Sequence, residues 1–248
     1  MSGHNRWSKI KHKKAASDAR KSKGWTKFIK EITISARMGG PDPSGNPRLR
    51  AAVDKARADN MPSDTIQRAI KKGSGDSEQV NYEELTYEVY GPGGAAIIVD
   101  ILTDNRNRTA SELRQLIEKG NGKLAASGSV LYQFKKRGTI VFESGAVDED
   151  KLMEAALEVG AEDLQTQDGV VQVLTSPQHY LDIKEHLEKS GFKPAGGEVA
   201  MIAETVTRLE GKEAHQMARL LVSLEDHDDV QAVFSNADID EEILEAAG

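Results

Sequence analysis

The chain contains no cysteine. Disulfides, thiolate metal centres and thiol nucleophiles are therefore excluded together, a pattern that fits the cytosol. No run of apolar residues approaches the length of a membrane span. The N-terminus, Met1-Ser2-Gly3-His4-Asn5-Arg6, has no apolar stretch behind its charge and does not read as a secretory signal. Catalytic signatures are missing as well. There is no phosphate-binding loop, no dinucleotide fingerprint, no nucleophile elbow and no zinc-protease motif. His179 and His186 stand seven apart on a predicted helix with no neighbouring ligand pair, so no metal is expected. Asp148-Glu149-Asp150 opens a predicted helix, where acids complement the dipole, and is not read as a catalytic pair. The sequence thus predicts a non-enzymatic cytoplasmic protein without cofactor, small-molecule substrate or membrane partner.

What is present is charge, unevenly divided. The net charge of −7 conceals two opposed halves. Residues 1–80 hold 18 Lys and Arg against 8 Asp and Glu, a balance of +10; the remainder holds 15 against 32, a balance of −17. Such segregation points to an anionic partner for the basic part. At 248 residues the chain fits two or three domains.

The basic part reads as helical. From about Ala15 to Arg37, Trp25, Phe28, Ile29 and Ile32 follow the i, i+3, i+4, i+7 spacing of one helix face. Lys23, Lys27 and Lys30 fall almost opposite, so the pattern predicts an outward row of ammonium groups. Met38-Gly39-Gly40-Pro41-Asp42-Pro43 ends this helix. A second helix is predicted from Asn46 to Asp59, with Pro47 in its first turn and Asn60 as terminator, and a short third from Pro62 to Gly73. Ser74-Gly75-Asp76-Ser77 reads as a linker.

Strand patterns follow. Leu85–Tyr90 and Ala95–Leu102 flank the turn Gly91-Pro92-Gly93-Gly94, then come a helix at Thr109–Lys119 and a strand at Val130–Phe134. Next is β-α-β-β-α-β order: strand Thr139–Glu143, helix Glu149–Val159, strands Asp163–Thr166 and Val170–Thr175, helix Pro177–Ser190, and a weak strand near Phe192. A strand at Val199–Val206, a helix at Lys212–Leu224 and a strand at Val230–Phe234 complete the series. The expected fold is α+β and multidomain. A helical domain (1–78) precedes a discontinuous α+β domain (79–137 plus 199–248), into which a ferredoxin-like unit (138–198) is inserted.

The densest chemical signal lies between Arg6 and Lys30. Arg6, Lys9, Lys11, Lys13, Lys14, Arg20, Lys21, Lys23, Lys27 and Lys30 face a single acid, Asp18. Lysine and arginine that contact phosphates release counterions and supply sequence-independent affinity for nucleic acid. His12 lies among them. Trp7, in the polar arm, is a candidate for base stacking, whereas Trp25 belongs to the apolar stripe. Arg48 and Arg50 extend the basic surface. Lys71-Lys72 is explained by the helix C-terminus on which it stands. In Thr103-Asp104-Asn105-Arg106-Asn107-Arg108-Thr109, capping accounts for the polar residues but not for Arg106 and Arg108, which are candidates for a second phosphate contact. Asp226–Asp229 and Asp238–Glu242 read as solvated acidic surface. The expected partner is DNA or ribosomal RNA, the latter on the ribosome.

Several of these segments together resemble the YebC/PmpR family, to which a mitochondrial translational activator is related. They are Gly3-His4, Trp7, Ile10-Lys11-His12-Lys13-Lys14-Ala15, Asn46-Pro47-Arg48-Leu49-Arg50-Ala51, Asn60-Met61-Pro62, Arg68-Ala69-Ile70-Lys71-Lys72-Gly73, Tyr90-Gly91-Pro92-Gly93-Gly94, the 103–109 segment and Ser127-Gly128-Ser129-Val130. Asn5-Arg6 stands where many members carry Ser-Lys, and Val89 where glycine is frequent; neither removes a basic group. The resemblance implies three domains, the last inserted into the second. It also implies a cytoplasmic DNA-binding transcriptional regulator without catalytic residues. Other members are described as translation factors that act on proline-rich stretches.

Overall fold

The computed structural model describes residues 18–75, 82–167 and 169–247, with the side chains of 18–24 and 167 left aside. Three helices come first: α1 (Asp18–Gly39), α2 (Pro47–Ala58) and α3 (Ser63–Ser74). Their core gathers Ile32, Ala36, Leu49, Val53, Ala56, Ile66 and Ile70, with Trp25, Phe28 and Ile29 packed against it. The aromatic stripe therefore faces inward, as its spacing predicts.

The connections explain why the bundle closes. Asn46 caps α2 by accepting the Leu49 N–H at 3.1 Å, while its amide group donates to the Ser35 and Gly40 carbonyls at 2.7 and 2.9 Å. One buried side chain thus joins the end of α1 to the start of α2. Asn60 adopts φ 58°, and the Met61 N–H reaches the Ala56 carbonyl, a left-handed termination that turns the chain toward α3. Gly73 lets α3 lie against α1: a methyl group there would collide with the Thr33 carbonyl oxygen.

The chain continues with β1 (Glu83–Tyr90), β2 (Ala96–Thr103), α4 (Arg106–Lys119) and β3 (Lys123–Leu124). Then come β4 (Phe134–Glu143), α5 (Glu149–Glu158), β5 (Asp163–Gln167), β6 (Val170–Thr175), α6 (Tyr180–Lys189) and β7 (Gly196–Ala203). The last elements are β8 (Thr207–Arg208), α7 (Gly211–Glu225), β9 (Val230–Ser235), β10 (Ala237–Asp238) and α8 (Glu241–Ala247). Two compact units result, one of residues 132–206 and one of the described residues before and after it.

In the larger unit, α1 to α3 accompany an antiparallel sheet of order β3-β1-β2-β9, and β8 and β10 form a short parallel pair. Helices α4 and α7 bury Leu113, Ile117, Met217 and Leu221 with Val89, Ile97, Val99 and Val233 of the sheet. The second unit has an antiparallel sheet of order β5-β6-β4-β7, with Leu152 of α5 and Ile183 and Leu187 of α6 packed on Ile140, Phe142, Val171 and Val173. No described helix is long and apolar enough to cross a membrane.

Three strand expectations need correction. Val130–Phe134 and Thr139–Glu143 are not separate strands: a turn at Leu131–Gln133 leads into the single strand β4. The cause is Glu88, 6% exposed, whose carboxylate accepts the N–H groups of Gly128, Val130 and Leu131 at 2.5 to 2.9 Å. Those donors are no longer available to a strand neighbour. Burial alone would raise the Glu88 pKa, but these backbone hydrogen bonds outweigh it and lower the value. The second correction concerns Phe192, which lies in no strand and packs edge-on against Phe142, with ring centroids 6.4 Å apart. The strand expected at Val199–Val206 starts earlier and pairs with β4 from Phe134↔Ala203 to Val141↔Gly196. Gly197 permits this pairing, since a Cβ there would stand 2.6 Å from the Thr139 carbonyl oxygen.

Candidate nucleic-acid interface

Arg6, Trp7, Lys9, Lys11, His12, Lys13 and Lys14 lie outside the described residues. Arg20, Lys21 and Lys23 stand on α1, and their side chains are likewise outside the described set. The remaining candidates divide into two groups.

Arg50 and Arg106 are exposed and make no ion pair among the described residues. Arg106 is the first residue of α4, whose N-cap is Asn105, accepting the Arg108 N–H at 3.1 Å. Lys71 and Lys72, at the end of α3, are also exposed and unpaired among the described residues.

Lys27, Lys30, Arg48 and Arg108 are engaged. Lys27 Nζ donates to the Glu225 carbonyl at the end of α7. Lys30 Nζ, only 13% exposed, donates to the Asp228 carbonyl at 3.0 Å and to the Asp229 carboxylate at 2.5 Å. The lysine row thus faces the turn between α7 and β9, not open solvent, at these two positions. Asp229, 3% exposed, also accepts from Arg108 Nη2 at 2.9 Å and from the Thr109 hydroxyl at 2.6 Å. Arg108 reaches Asp104 at 2.9 Å as well. Burial alone would raise the Asp229 pKa; the Lys30, Thr109 and Arg108 hydrogen bonds prevail and hold it well below the ordinary carboxylate range.

A second clamp centres on Arg48. Its guanidinium meets Glu31 of α1 in a fork at 2.7 and 3.1 Å and Glu84 of β1 at 2.5 Å. The Glu31 hydrogen bonds outweigh desolvation and push the Arg48 pKa up. Both clamps tie the helical bundle to the first sheet.

The comparisons agree with this architecture. Residues 5–76 match a family model described as the TACO1/YebC protein N-terminal domain, and residues 82–237 match the TACO1/YebC second and third domain. The chain belongs to the TACO1/YebC family. A relative from Geotalea uraniireducens, called "Probable transcriptional regulatory protein", is 54% identical over 99% of both chains. One of the same name from Treponema denticola is 51% identical over 97% of this chain and 98% of its own. A solved structure of a conserved hypothetical protein from Aquifex aeolicus is 43% identical, with a TM-score of 0.80 over 92% of this chain and 94% of that one. Both relatives are named as probable regulators and neither as an enzyme.

In this TACO1/YebC chain the features that sequence reasoning missed are acidic. Asp229 and Asp238 are buried rather than solvated, although Asp226 and Asp228 of the same turn are exposed. The available signal for Asp229 was its place directly before the apolar strand Val230–Phe234. Glu112, His227 and Asp229 bring potential metal ligands together. The hydrogen bonding there is already complete. His227 Nδ1 lies 3.1 Å from the Asp229 N–H and accepts from it, which leaves Nε2 to donate to Glu112 at 3.0 Å. With Lys30 and Arg108 also on Asp229, a cation would meet two fixed positive charges, so the group reads as a structural network.

Proposed function

We propose that this family member is a non-enzymatic regulator of gene expression that binds the phosphate backbone of nucleic acid through its basic N-terminal part, acting on DNA in the cytoplasm. The carrying observation is the charge division: +10 over residues 1–80 against −17 over the rest. The name carried by the relatives supports the regulatory role. The contact set we propose is the arm cations Arg6 to Lys23 with Trp7 and His12, joined by the exposed Arg50 and Arg106. We further read the chain as a helical domain and a discontinuous α+β domain interrupted by a ferredoxin-like insertion. The strand order β5-β6-β4-β7 supports that insertion, with ends drawn at 132 and 206.

The test is crosslinking in living cells followed by sequencing of both bound DNA and bound RNA. Recovery of discrete promoter sites supports the proposal. Recovery of ribosomal RNA without promoter DNA replaces it with action at the ribosome, for which a basic arm and unpaired arginines are equally suited.

A further inference from the structure

The cations engaged within the larger unit are of the same kind, and on the same helix, as those proposed to hold nucleic acid. We propose that the turn after α7 is a built-in competitor for the phosphate backbone, which keeps the Lys27/Lys30 face of α1 occupied until nucleic acid displaces it. This rests on the function proposed above and adds an autoinhibited state to it.

The turn is shaped as a receptor for ammonium groups. A helix C-terminus carries unpaired carbonyls and the negative end of its dipole. Here α7 ends at Glu225, and its carbonyl takes Lys27. The Asp228 carbonyl and the Asp229 carboxylate take Lys30. An ammonium group meets these oxygens with the charge-assisted hydrogen bonds it would make to a phosphate. Arg108, on the far side of Asp229, and Arg48, between Glu31 and Glu84, are held in the same way. A long polyanion offers all of them phosphates at once, whereas short oligonucleotides reach only the exposed cations. The closed state therefore binds through a subset of the basic groups, and the open state through the full set.

Salt dependence separates the two states, because each neutralised phosphate adds roughly 0.9 to the slope of log K against log salt. The experiment compares the full native chain with Asp229→Asn on short DNA duplexes and short single-stranded RNAs, which leave the native protein closed. Asp229→Asn is expected to bind more tightly with a slope steeper by roughly 2. Its gain in affinity from about 200 to 50 mM salt should then exceed the native gain by about tenfold. Since Asp229 is buried, a second variant guards against misfolding: Glu84→Gln with Asp104→Asn removes only half-exposed partners of Arg48 and Arg108 and should shift the slope in the same direction by less, because Glu31 and Asp229 still hold the two arginines. Because the chain has no cysteine, Asp54→Cys and Ser223→Cys give unique label sites on α2 and α7. The distance between the labels should lengthen when a long duplex saturates the native protein. Equal slopes in native and variant proteins, or an unchanged label distance at saturation, overturn the closed state and leave the proposed function standing. Absence of binding in the native protein and all variants overturns both. Binding by Asp229→Asn alone supports both.

Discussion

At the scale of single residues, Asp229 shows how an acid in an acidic half becomes indispensable. Its carboxylate is removed from water, a cost repaid only because Lys30, Arg108 and Thr109 all donate to it. Deleting its charge leaves Lys30 with the Asp228 carbonyl and Arg108 with the half-exposed Asp104. Asp229→Asn should lower unfolding stability by about 2–4 kcal/mol at neutral pH, read by urea denaturation. The sign of the pH dependence follows from the lowered pKa. A carboxyl more acidic when folded contributes stability that is fully present above its unfolded value, about 3.9, and fades as pH falls toward the folded value. Below about pH 4 the native protein should therefore lose up to about 1.4 kcal/mol per pH unit more than Asp229→Asn does. Parallel curves for the two proteins would show that Asp229 does not titrate in this way.

At the scale of elements, the helical bundle depends on two close approaches. Asn46 satisfies one helix N-terminus and two carbonyls of the preceding segment. Asn46→Ala removes all three contacts and should cost about 2–3 kcal/mol, whereas Asn46→Asp keeps the cap acceptor and should cost less. Gly73 presents the opposite problem, because the obstructing atom is a backbone carbonyl on α1 and no rotamer change can relieve it. Gly73→Ala should cost about 1–3 kcal/mol by forcing α1 and α3 apart. Trp25 packs against this core, so its emission in a Trp7→Phe background reports bundle unfolding for all three variants. A Gly73→Ala protein as stable as the native one would show that the helices slide freely past each other.

At the scale of the whole molecule, opposite charges are divided between the two parts of the chain, +10 over residues 1–80 against −17 over the rest. On the proposed function, the acidic remainder would keep a chain with a strongly basic end from coating polyanions along its full length. Within the larger unit it also occupies particular cations, as the Arg48 and Asp229 clamps do. In the proposed reading the basic arm supplies most of the phosphate contacts. Replacing Lys9, Lys11, Lys13 and Lys14 by alanine should accordingly reduce the salt slope of binding by roughly 3–4. An unchanged slope, measured by fluorescence anisotropy over a salt series, would remove the arm from the contact surface.

Much of the architecture was legible in the amino-acid order because it rests on local rules. The Trp25–Ile32 spacing, Pro47 after Asn46, Asn60 at a left-handed position and Gly91-Pro92-Gly93-Gly94 between two apolar runs each specify their element without distant help. The charge division and the family resemblance are likewise properties of the linear chain. Only the tertiary structure decided which strand joins which sheet and which cations are already engaged. The strand Gly196–Ala203 chooses β4 through a glycine-permitted backbone approach, and Val130 leaves the strand pattern because Glu88, some forty residues earlier, takes its N–H. Lys30 and Asp229 stand 199 residues apart, so periodicity could put the lysine opposite the aromatic stripe but could not supply the carboxylate that meets it. Periodicity is a local property, whereas the pairing of charges depends on where the folded chain returns.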